Sequence, residues 1–585
     1  MKNILILAAI ILAGTALCTA QQPDKARIVA NPMNLAYRFQ LLDDAPARRE
    51  AADPVCEYFQ GKYYLFASKS GGYWSSPDLA NWTFIPCRTI ETIEDYAPTI
   101  LIIDKEIFFM ASGKPARIFK TSKPDEDNWT EIDTKFVFPT EVSQDPAFFR
   151  DDDERTYLYW GCSDRTPIYG IEVDPSDGFK SIGEVQTLIA HNSKLYGWEA
   201  SGENNELNKD GWNEGPCILK HAGKYYLQYA APGTEFRSYG DGLYVGDKPL
   251  GPFIYVESSP FSFKPGGFIG GAGHGHSFRD KYGNFWHVAS MKISQRHMFE
   301  RRLGLFPLYP TGNGFAQQAV LSDYPFLIPD RKVDFSAEEC TMGWNLLSYG
   351  GEATSSSSAE SHPPSLAFDE RVESWWAAAG GEPGEWLRVD MGKIMEVHAV
   401  QVNFSDHDFT IRAPHPAFAY QYYIESSTDG QSWSRIIDRT ANTSDAVHEL
   451  IVLDSAVEAR QLRIVNAAEL PGKFSISGLR AFGNGKGSPP SVVNAVSHSR
   501  NASDRRRYTI EWPRSLGATG YIIRSGISPD ALNHAVMVYD DTSLHKTQLQ
   551  YDKQYEAGFF NINSEYYFSV DAFNENGIAP GIRPR

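Results

Sequence analysis

Short runs of aromatic and β-branched residues alternate with turns rich in Gly, Pro and Asp, and long helix-like periodic stretches are hard to find. Five such runs within the first 310 residues begin at Tyr63, Ile107, Tyr157, Tyr225 and Phe285. About ten to twelve positions before each run stands a polar residue near Pro or Gly. These five residues are Asp53, Tyr96, Asp145, Glu214 and His274. The pattern predicts an all-β protein whose N-terminal part repeats one unit five times.

The spacing between units indicates a fold. Successive polar residues lie roughly 40–70 positions apart, which matches four-stranded blades with insertions in the later ones. Similar turns also recur in the first two units, at 76–82 and 124–129. We therefore predict a five-bladed β-propeller over residues 25–335, with an irregular β-sandwich as the alternative.

A propeller would bring the five polar residues together. The innermost strand of each blade runs beside the central axis, so residues at equivalent strand starts ring one mouth of the channel. Asp145 and Glu214 would then come from neighbouring blades, and Asp53 would lie largely across the axis. The sequence thus predicts a cluster of three carboxyl groups with Tyr96 and His274.

Three carboxyl groups in this order suit hydrolysis of a glycosidic bond with inversion. One acid protonates the leaving oxygen while a carboxylate on the opposite face, roughly 6.5–9.5 Å away, activates water. We assign Glu214 as the acid and Asp53 as the base. Asp145, beside Glu214, would keep the acid protonated, because two close carboxyl groups resist ionising together.

The pattern of strands and turns predicts two further domains of β-sandwich type, at residues 343–485 and 490–585. Alternating strands with tight Asp-Gly turns, as at 386–392 and 425–433, resemble the discoidin (factor 5/8 type C) domain. Its bacterial members are often family 32 carbohydrate-binding modules. The last segment resembles a fibronectin type III domain, in which Trp512 would be the core tryptophan.

The motifs around the five polar residues resemble those of glycoside hydrolase family 43. They are Ala52-Asp53-Pro54, Asp145-Pro146-Ala147-Phe148-Phe149 with 151–153, Glu214-Gly215-Pro216 and Gly273-His274-Gly275. The resemblance implies an inverting enzyme with Asp53 as base, Asp145 as modulator and Glu214 as acid. It further implies that Arg301 contacts sugar hydroxyls and that His274 helps hold water or calcium in the channel. Tyr96 departs from the family pattern, which often has Trp at this position.

Other residues have two interpretations each. Trp74 and Trp198 are either a stacking platform for the sugar or core aromatics.

His274 and His276 have the spacing of a zinc motif, but no further ligands stand nearby in sequence, so we predict no metal in catalysis. No cofactor is required, although a structural calcium ion could bind in the channel or near Asp369. The cysteines form no CxxC pair, which indicates neither a disulfide framework nor a zinc site.

Residues 1–20 read as a secretory signal, with Lys2 before an apolar stretch from Ile4 to Leu17. We expect export to the periplasm or the extracellular space, with lipid anchoring at Cys18 as the alternative. No other segment is apolar enough to span a membrane. The net charge of −18 disfavours nucleic acid as the partner.

The resemblance to family 43 implies an exo-acting glycosidase for arabinose- or xylose-containing oligo- and polysaccharides of plant cell walls. An α-L-arabinofuranosidase is the first hypothesis, a β-D-xylosidase the close alternative, and a β-galactosidase a third. A non-catalytic glycan-binding protein is the alternative of a different class. Three clustered carboxyl groups argue against it, because a lectin gains nothing from their desolvation cost.

Overall fold

The computed structural model describes residues 27–40, 47–318, 322–337, 340–409, 418–539 and 553–584. The predicted signal segment, residues 1–20, lies outside them. The all-β prediction is confirmed, since helical structure in these ranges is confined to single 3-10 turns such as Pro175–Asp177, Gly197–Glu199 and Pro364–Ala367. No helix within the described ranges has the length and apolar character needed to cross a membrane.

The N-terminal part contains five antiparallel sheets in which successive strands are mostly neighbours. Sheet 1 comprises Ala52–Phe59, Lys62–Ser68, Gly72–Ser76 and Thr83–Pro86. Sheet 2 comprises Thr99–Ile103, Glu106–Met110, Phe119–Thr121 and Thr130–Glu131. Sheet 3 comprises Ala147–Arg150, Thr156–Trp160, Ile168–Asp174 and Lys180–Ile189. Sheet 4 comprises Glu214–His221, Lys224–Ala231, Gly240–Gly246, Phe253–Tyr255 and Ser262–Phe263. Sheet 5 comprises Gly270–Arg279, Phe285–Lys292, Arg301–Pro310 and Phe315–Gln317.

The first strands of these sheets contact one another in a cyclic order. Each first strand lies against the first strand of the next sheet, and the first strand of sheet 5 returns to that of sheet 1. Two short pairs stand beside the sheets, Ile28–Val29 with Phe326–Leu327 and Phe39–Gln40 with Arg48–Arg49. The predicted propeller requires such a cyclic order.

A left-handed residue lies in or just before the first strand of each of the five sheets. Positive φ angles occur at Asp53 (52°), Ala97 (49°), Asp145 (58°), Gly215 (60°) and His274 (46°). Four of these are not glycine, although left-handed backbone is uncommon outside glycine. The sequence-based alignment of the units is therefore wrong by one residue in two sheets. Ala97 and Gly215, and not their predecessors Tyr96 and Glu214, occupy the equivalent positions.

The C-terminal half forms two further β units. One is an eight-stranded sheet of Asn345–Leu346, Glu352–Ser355, Trp376–Ala377, Trp386–Phe404, Tyr422–Ser427, Ser434–Asp438, His448–Asn466 and Ser475–Asn484. The other, which we call the C-terminal sheet pair, has two sheets that share a hydrophobic core. Its strands are Ser497–Arg500, Tyr508–Trp512, Gly520–Gly526, His534–Tyr539, Lys553–Ala557, Tyr567–Asn574 and Gly577–Ala579.

A buried ionic network joins all three parts of the chain. Arg480 of the eight-stranded sheet donates to both oxygens of Glu370, at 3.0 and 2.9 Å. It also donates to the backbone carbonyl of Asp323, whose carboxylate pairs with Lys264 at 2.9 Å. The Tyr539 hydroxyl of the C-terminal sheet pair donates to Glu370 at 3.2 Å. All five side chains are buried, so each charge depends on its partner.

We expect Glu370→Ala to lower the free energy of unfolding by about 3–5 kcal/mol, because it leaves the Arg480 charge buried without its partner. The exposed pair of Arg435 and Asp438 supplies the control, and Arg435→Ala should not move the urea midpoint. The double variant Glu370→Leu/Arg480→Met should recover much of the loss. Equal urea midpoints for Glu370→Ala and the wild type would show that this network does not stabilise the folded chain.

Candidate active site

Asp53 is a buried carboxylate surrounded by donors. Its Oδ2 accepts a hydrogen bond from Ser68 at 2.6 Å, and its Oδ1 pairs with Arg301 at 3.1 Å. His274 Nδ1 lies 3.4 Å from the same Oδ1. Burial alone would raise the pKa of Asp53, but the Arg301 and His274 charges and hydrogen bonds from Ser68 and Ser290 lower it below the ordinary value. Asp53 is thus held ionised.

Asp145 is buried with fewer compensating groups. The backbone N–H of Gly215 donates to its Oδ2 at 3.1 Å, and His274 Nδ1 lies 3.8 Å from that oxygen. Burial, followed by the neighbouring charges of Glu214 and Asp53, raises the pKa of Asp145 to about 7, against the lowering effect of His274. Asp145 and Glu214 lie in one environment, so the raised pKa describes the pair, and the assignment of Glu214 as the acid stays a prediction.

Glu214 opens the first strand of sheet 4 and is partly exposed. The Tyr239 hydroxyl donates to its Oε1, and the Cys162 thiol donates to its Oε2 at 3.2 Å. Sequence reasoning singled out neither Tyr239 nor Cys162, because no motif links them to the carboxyl groups. Glu214 thus combines two protein donors with access to solvent.

His274 stands between two of the carboxylates, within 4 Å of both Asp53 and Asp145. Burial lowers its pKa, but the charges of Asp53, Asp145 and Glu214 outweigh burial and raise it. Asp241 fixes the backbone here, since its two oxygens accept the N–H groups of His274 and Gly275 at 2.8 and 3.0 Å. His274 therefore bridges Asp53 and Asp145, as the predicted cluster requires.

Arg301 reaches Asp53 from sheet 5. Besides Asp53, its guanidinium donates to Glu50 at 2.9 Å and to Thr234 at 3.3 Å. The half-buried ring of Tyr96 lies 6.5 Å from that of Phe299, just before Arg301. Burial raises the pKa of Tyr96 to about 12. The structure thus brings Tyr96 and Arg301 to the same side of the site.

Trp74 and Trp198 do not reach the site. Their side chains are 1% and 0% exposed. Trp74 packs against Tyr37 and Phe84, and Trp198 packs against Tyr229 and donates to Tyr255. A face that is fully covered by protein has no room for a sugar, so the platform hypothesis is wrong for both. They are core aromatics.

Three serines hold the left-handed residues in place. Ser68, Ser112 and Ser290 accept the backbone N–H groups of Ala97, Asp145 and Asp53 at 2.7, 2.9 and 2.8 Å. Each serine follows an alanine and lies within two residues of the end of the second strand of its sheet. Sequence reasoning missed this repeated Ala-Ser pair, although it was visible in the chain.

One group of candidate metal ligands lies at the site. Ligand atoms of Asp145, Cys162 and Glu214 lie within 4.8 Å of one another, and no other such group occurs among the residues that the structure describes. Calcium prefers six to eight oxygen ligands, so a group containing a thiol fits it poorly. The calcium expected in the channel or near Asp369 remains a prediction.

Comparison with known proteins agrees with this geometry. Residues 47–315 match glycosyl hydrolases family 43, and residues 352–476 match the F5/8 type C domain. The first match contains Asp53, Asp145, Glu214, His274 and Arg301.

Individual relatives are distant. A β-D-galactofuranosidase of Aspergillus niger is 26% identical over 261 residues, covering 39% of this chain and 68% of its own. A solved glycoside hydrolase is 19% identical, with a TM-score of 0.43 over 74% of this chain and 97% of its own. A xylan β-1,4-xylosidase from Bacillus halodurans is 14% identical, with a TM-score of 0.38 over 78% of this chain and 100% of its own. The chain carries a glycosyl hydrolase family 43 domain followed by an F5/8 type C domain.

Proposed function

We propose that the protein is an inverting, exo-acting glycosidase that removes terminal α-L-arabinofuranosyl groups from plant cell-wall glycans. The observation that carries this proposal is that two carboxyl groups of one site have pKa values shifted in opposite directions. Asp53 is held ionised by Arg301, His274 and Ser68, whereas burial and neighbouring carboxylates raise the pKa of Asp145 to about 7. Groups whose environments separate their pKa values are suited to acid and base roles.

Asp53 acts as the general base. Its carboxylate takes a proton from a water molecule, whose oxygen attacks the anomeric carbon from the face opposite the leaving group. Arg301 and His274 keep the carboxylate charged and oriented before the substrate binds. His274 also neutralises part of the charge shared by Asp53 and Asp145.

Glu214 acts as the general acid, and its proton passes to the leaving oxygen as the glycosidic bond breaks. Tyr239 and Cys162 hold its two oxygens. Burial and the neighbouring carboxylates raise the pKa of Asp145 to about 7, so the unliganded site holds a proton below that pH. Because the two carboxyl groups share one environment, this proton belongs to the pair, and we infer that substrate binding places it on Glu214.

A furanoside is the substrate class that we favour. The A. niger relative is described as a β-D-galactofuranosidase, and β-D-galactofuranose has the ring configuration of α-L-arabinofuranose with a longer side chain. A β-D-galactofuranoside is therefore the second candidate. β-D-Xylosidase and β-galactosidase activities are further alternatives. Non-catalytic glycan binding would not require an ionised Asp53 beside a protonated Asp145.

Architecture and location complete the proposal. The five sheets are the blades of a five-bladed propeller, which accounts for the cyclic order of their first strands. The C-terminal sheet pair is a fibronectin type III-like domain. The protein is exported to the periplasm or the extracellular space, where plant glycans are accessible.

We expect Asp53→Asn and Glu214→Gln each to lower turnover of aryl α-L-arabinofuranoside by at least about 10²–10⁴-fold, because each removes one proton transfer. Release of nitrophenol measures the rate. Glu57→Gln is the control, since Glu57 lies on the same first strand as Asp53 but at its far end. Near wild-type turnover in either site variant would show that the roles are assigned wrongly.

We expect the sugar to be released with inverted anomeric configuration, because Asp53 is assigned to activate water and not to bond with the sugar. Proton NMR of the first product, recorded before mutarotation, distinguishes the two anomers. Retention would overturn the role of Asp53.

We expect kcat/KM to fall as the pH rises through about 7, where the pair of Asp145 and Glu214 loses its shared proton. In Asp145→Asn the neighbouring negative charge is absent, so the alkaline limb should move to lower pH. Burial also raises the pKa of Glu57 to about 7; Glu57→Gln should nevertheless leave the limb in place. If the alkaline limb moved in Glu57→Gln but not in Asp145→Asn, its assignment to Asp145 and Glu214 would be wrong.

Ser68 is a positioning residue, and we expect Ser68→Ala to lower kcat by about tenfold with little change in KM. The variant loses the hydrogen bond to Asp53 and the contact with Ala97. Because the Ser68 bond lowers the pKa of Asp53, the acidic limb should move to higher pH. Ser68→Thr should restore activity, and Ser75→Ala, at a buried serine of the same sheet, should be neutral. An unmoved acidic limb would contradict the role.

A further inference from the structure

A groove of about 620 Å³, lined by both charged and apolar residues, lies where the family 43 domain, the F5/8 type C domain and the C-terminal sheet pair meet. The family 43 domain contributes Glu203, Arg237, 265–267, Lys292 and Ser294. The F5/8 type C domain contributes 369–371, Glu373 and Ser374, and the C-terminal sheet pair contributes 536–539 and Tyr555. Its volume lies in the range of ligand-binding clefts.

Two residues that line the groove lie close along the chain to residues that contact the carboxylate cluster. Lys292 is two residues along one strand from Ser290, which contacts Asp53. Residues two apart on a strand point to the same face and lie about 7 Å apart. From the other side, Thr234 accepts a hydrogen bond from Arg301, and Arg237 lies three residues further on, at most about 11 Å away. Two separate segments therefore lead from the site into the groove.

The walls of the groove are held by contacts between the domains. Arg237 pairs with Glu373 at 3.0 Å and donates to the carbonyl of Gly267 at 2.8 Å. A Cβ atom on Gly266 would lie 2.2 Å from the carbonyl oxygen of Met537, so only glycine permits this approach. The groove is thus a built feature of the assembled chain.

The charges that line the groove are largely compensated. Lys292 pairs with Glu203, Arg237 pairs with Glu373, and the Arg371 charge lies near Asp369. Paired charges present donors and acceptors at fixed positions without leaving a net charge for an ionic ligand. A chain of neutral sugars, whose hydroxyl groups both donate and accept, matches this lining.

We propose that this groove binds the glycan chain on the leaving-group side of the bond that the active site cleaves. The two accessory domains then form part of the substrate site. Arg371 of the F5/8 type C domain and Tyr555 of the C-terminal sheet pair would contact the glycan chain. This inference rests on the proposed function for the identity of the glycan, but the groove itself is tested separately by binding.

The test compares a polymer with a small substrate. Arg371→Ala and Tyr555→Phe should each lower kcat/KM on arabinoxylan by about tenfold, since each removes a hydrogen bond to the chain. Activity on nitrophenyl α-L-arabinofuranoside should stay within about twofold, because that substrate does not reach the groove. Arg435→Ala and Tyr423→Phe, which lie in the F5/8 type C domain outside the groove, are the matched controls.

A parallel fall on both substrates, or no fall on arabinoxylan, would overturn the groove proposal. Affinity electrophoresis of the same variants in arabinoxylan gels, in a Glu214→Gln background, reads binding without turnover. Weaker retardation of the groove variants than of the controls supports the groove even if the bond cleaved is another one. Equal retardation of all variants rejects it. Absence of turnover on both substrates with the wild-type chain would instead reject the proposed function.

Discussion

The site depends on one backbone constraint that is repeated five times. At the start of each N-terminal sheet, a left-handed residue donates its N–H to a side chain of the preceding sheet in the cycle. The acceptors are Ser290, Ser68, Ser112, Asp145 and Asp241. Left-handed backbone is unfavourable for residues with a Cβ atom, so these bonds from neighbouring sheets keep Asp53, Asp145 and His274 in place. The same bonds tie each sheet to the next.

The second constraint is electrostatic. Three carboxyl groups at one mouth would repel one another, and burial would protonate all of them. Arg301 and His274 are unequally distributed among them, because both reach Asp53 whereas only His274 reaches Asp145. This inequality lowers the pKa of Asp53 and leaves that of Asp145 raised to about 7. The two carboxyl groups thus differ in acidity because of neighbouring residues that are not carboxylic acids.

The accessory parts of the chain are attached by buried charges as well as by apolar contact. Arg480, Glu370, Asp323 and Lys264 connect sequence-distant segments, and Arg49 pairs with Asp406 at 2.9 Å across another part of the boundary. Buried ion pairs add specificity more than net stability. These pairs join the F5/8 type C domain to the family 43 domain, and residues of both domains line the groove between them.

The sequence by itself determined the β class, the repeated units, and the carboxyl residues Asp53, Asp145 and Glu214, since period-2 strands, turn residues and recurring motifs are local signals. It could not separate Tyr96 from Ala97 as the equivalent position, because that depends on a backbone angle. Nor could it show that Trp74 and Trp198 are covered, or that Cys162 and Tyr239 hold Glu214. Only the tertiary structure decided these points and placed the raised pKa on Asp145. Burial and charge proximity arise from contacts between residues far apart in the chain, and no local pattern records them.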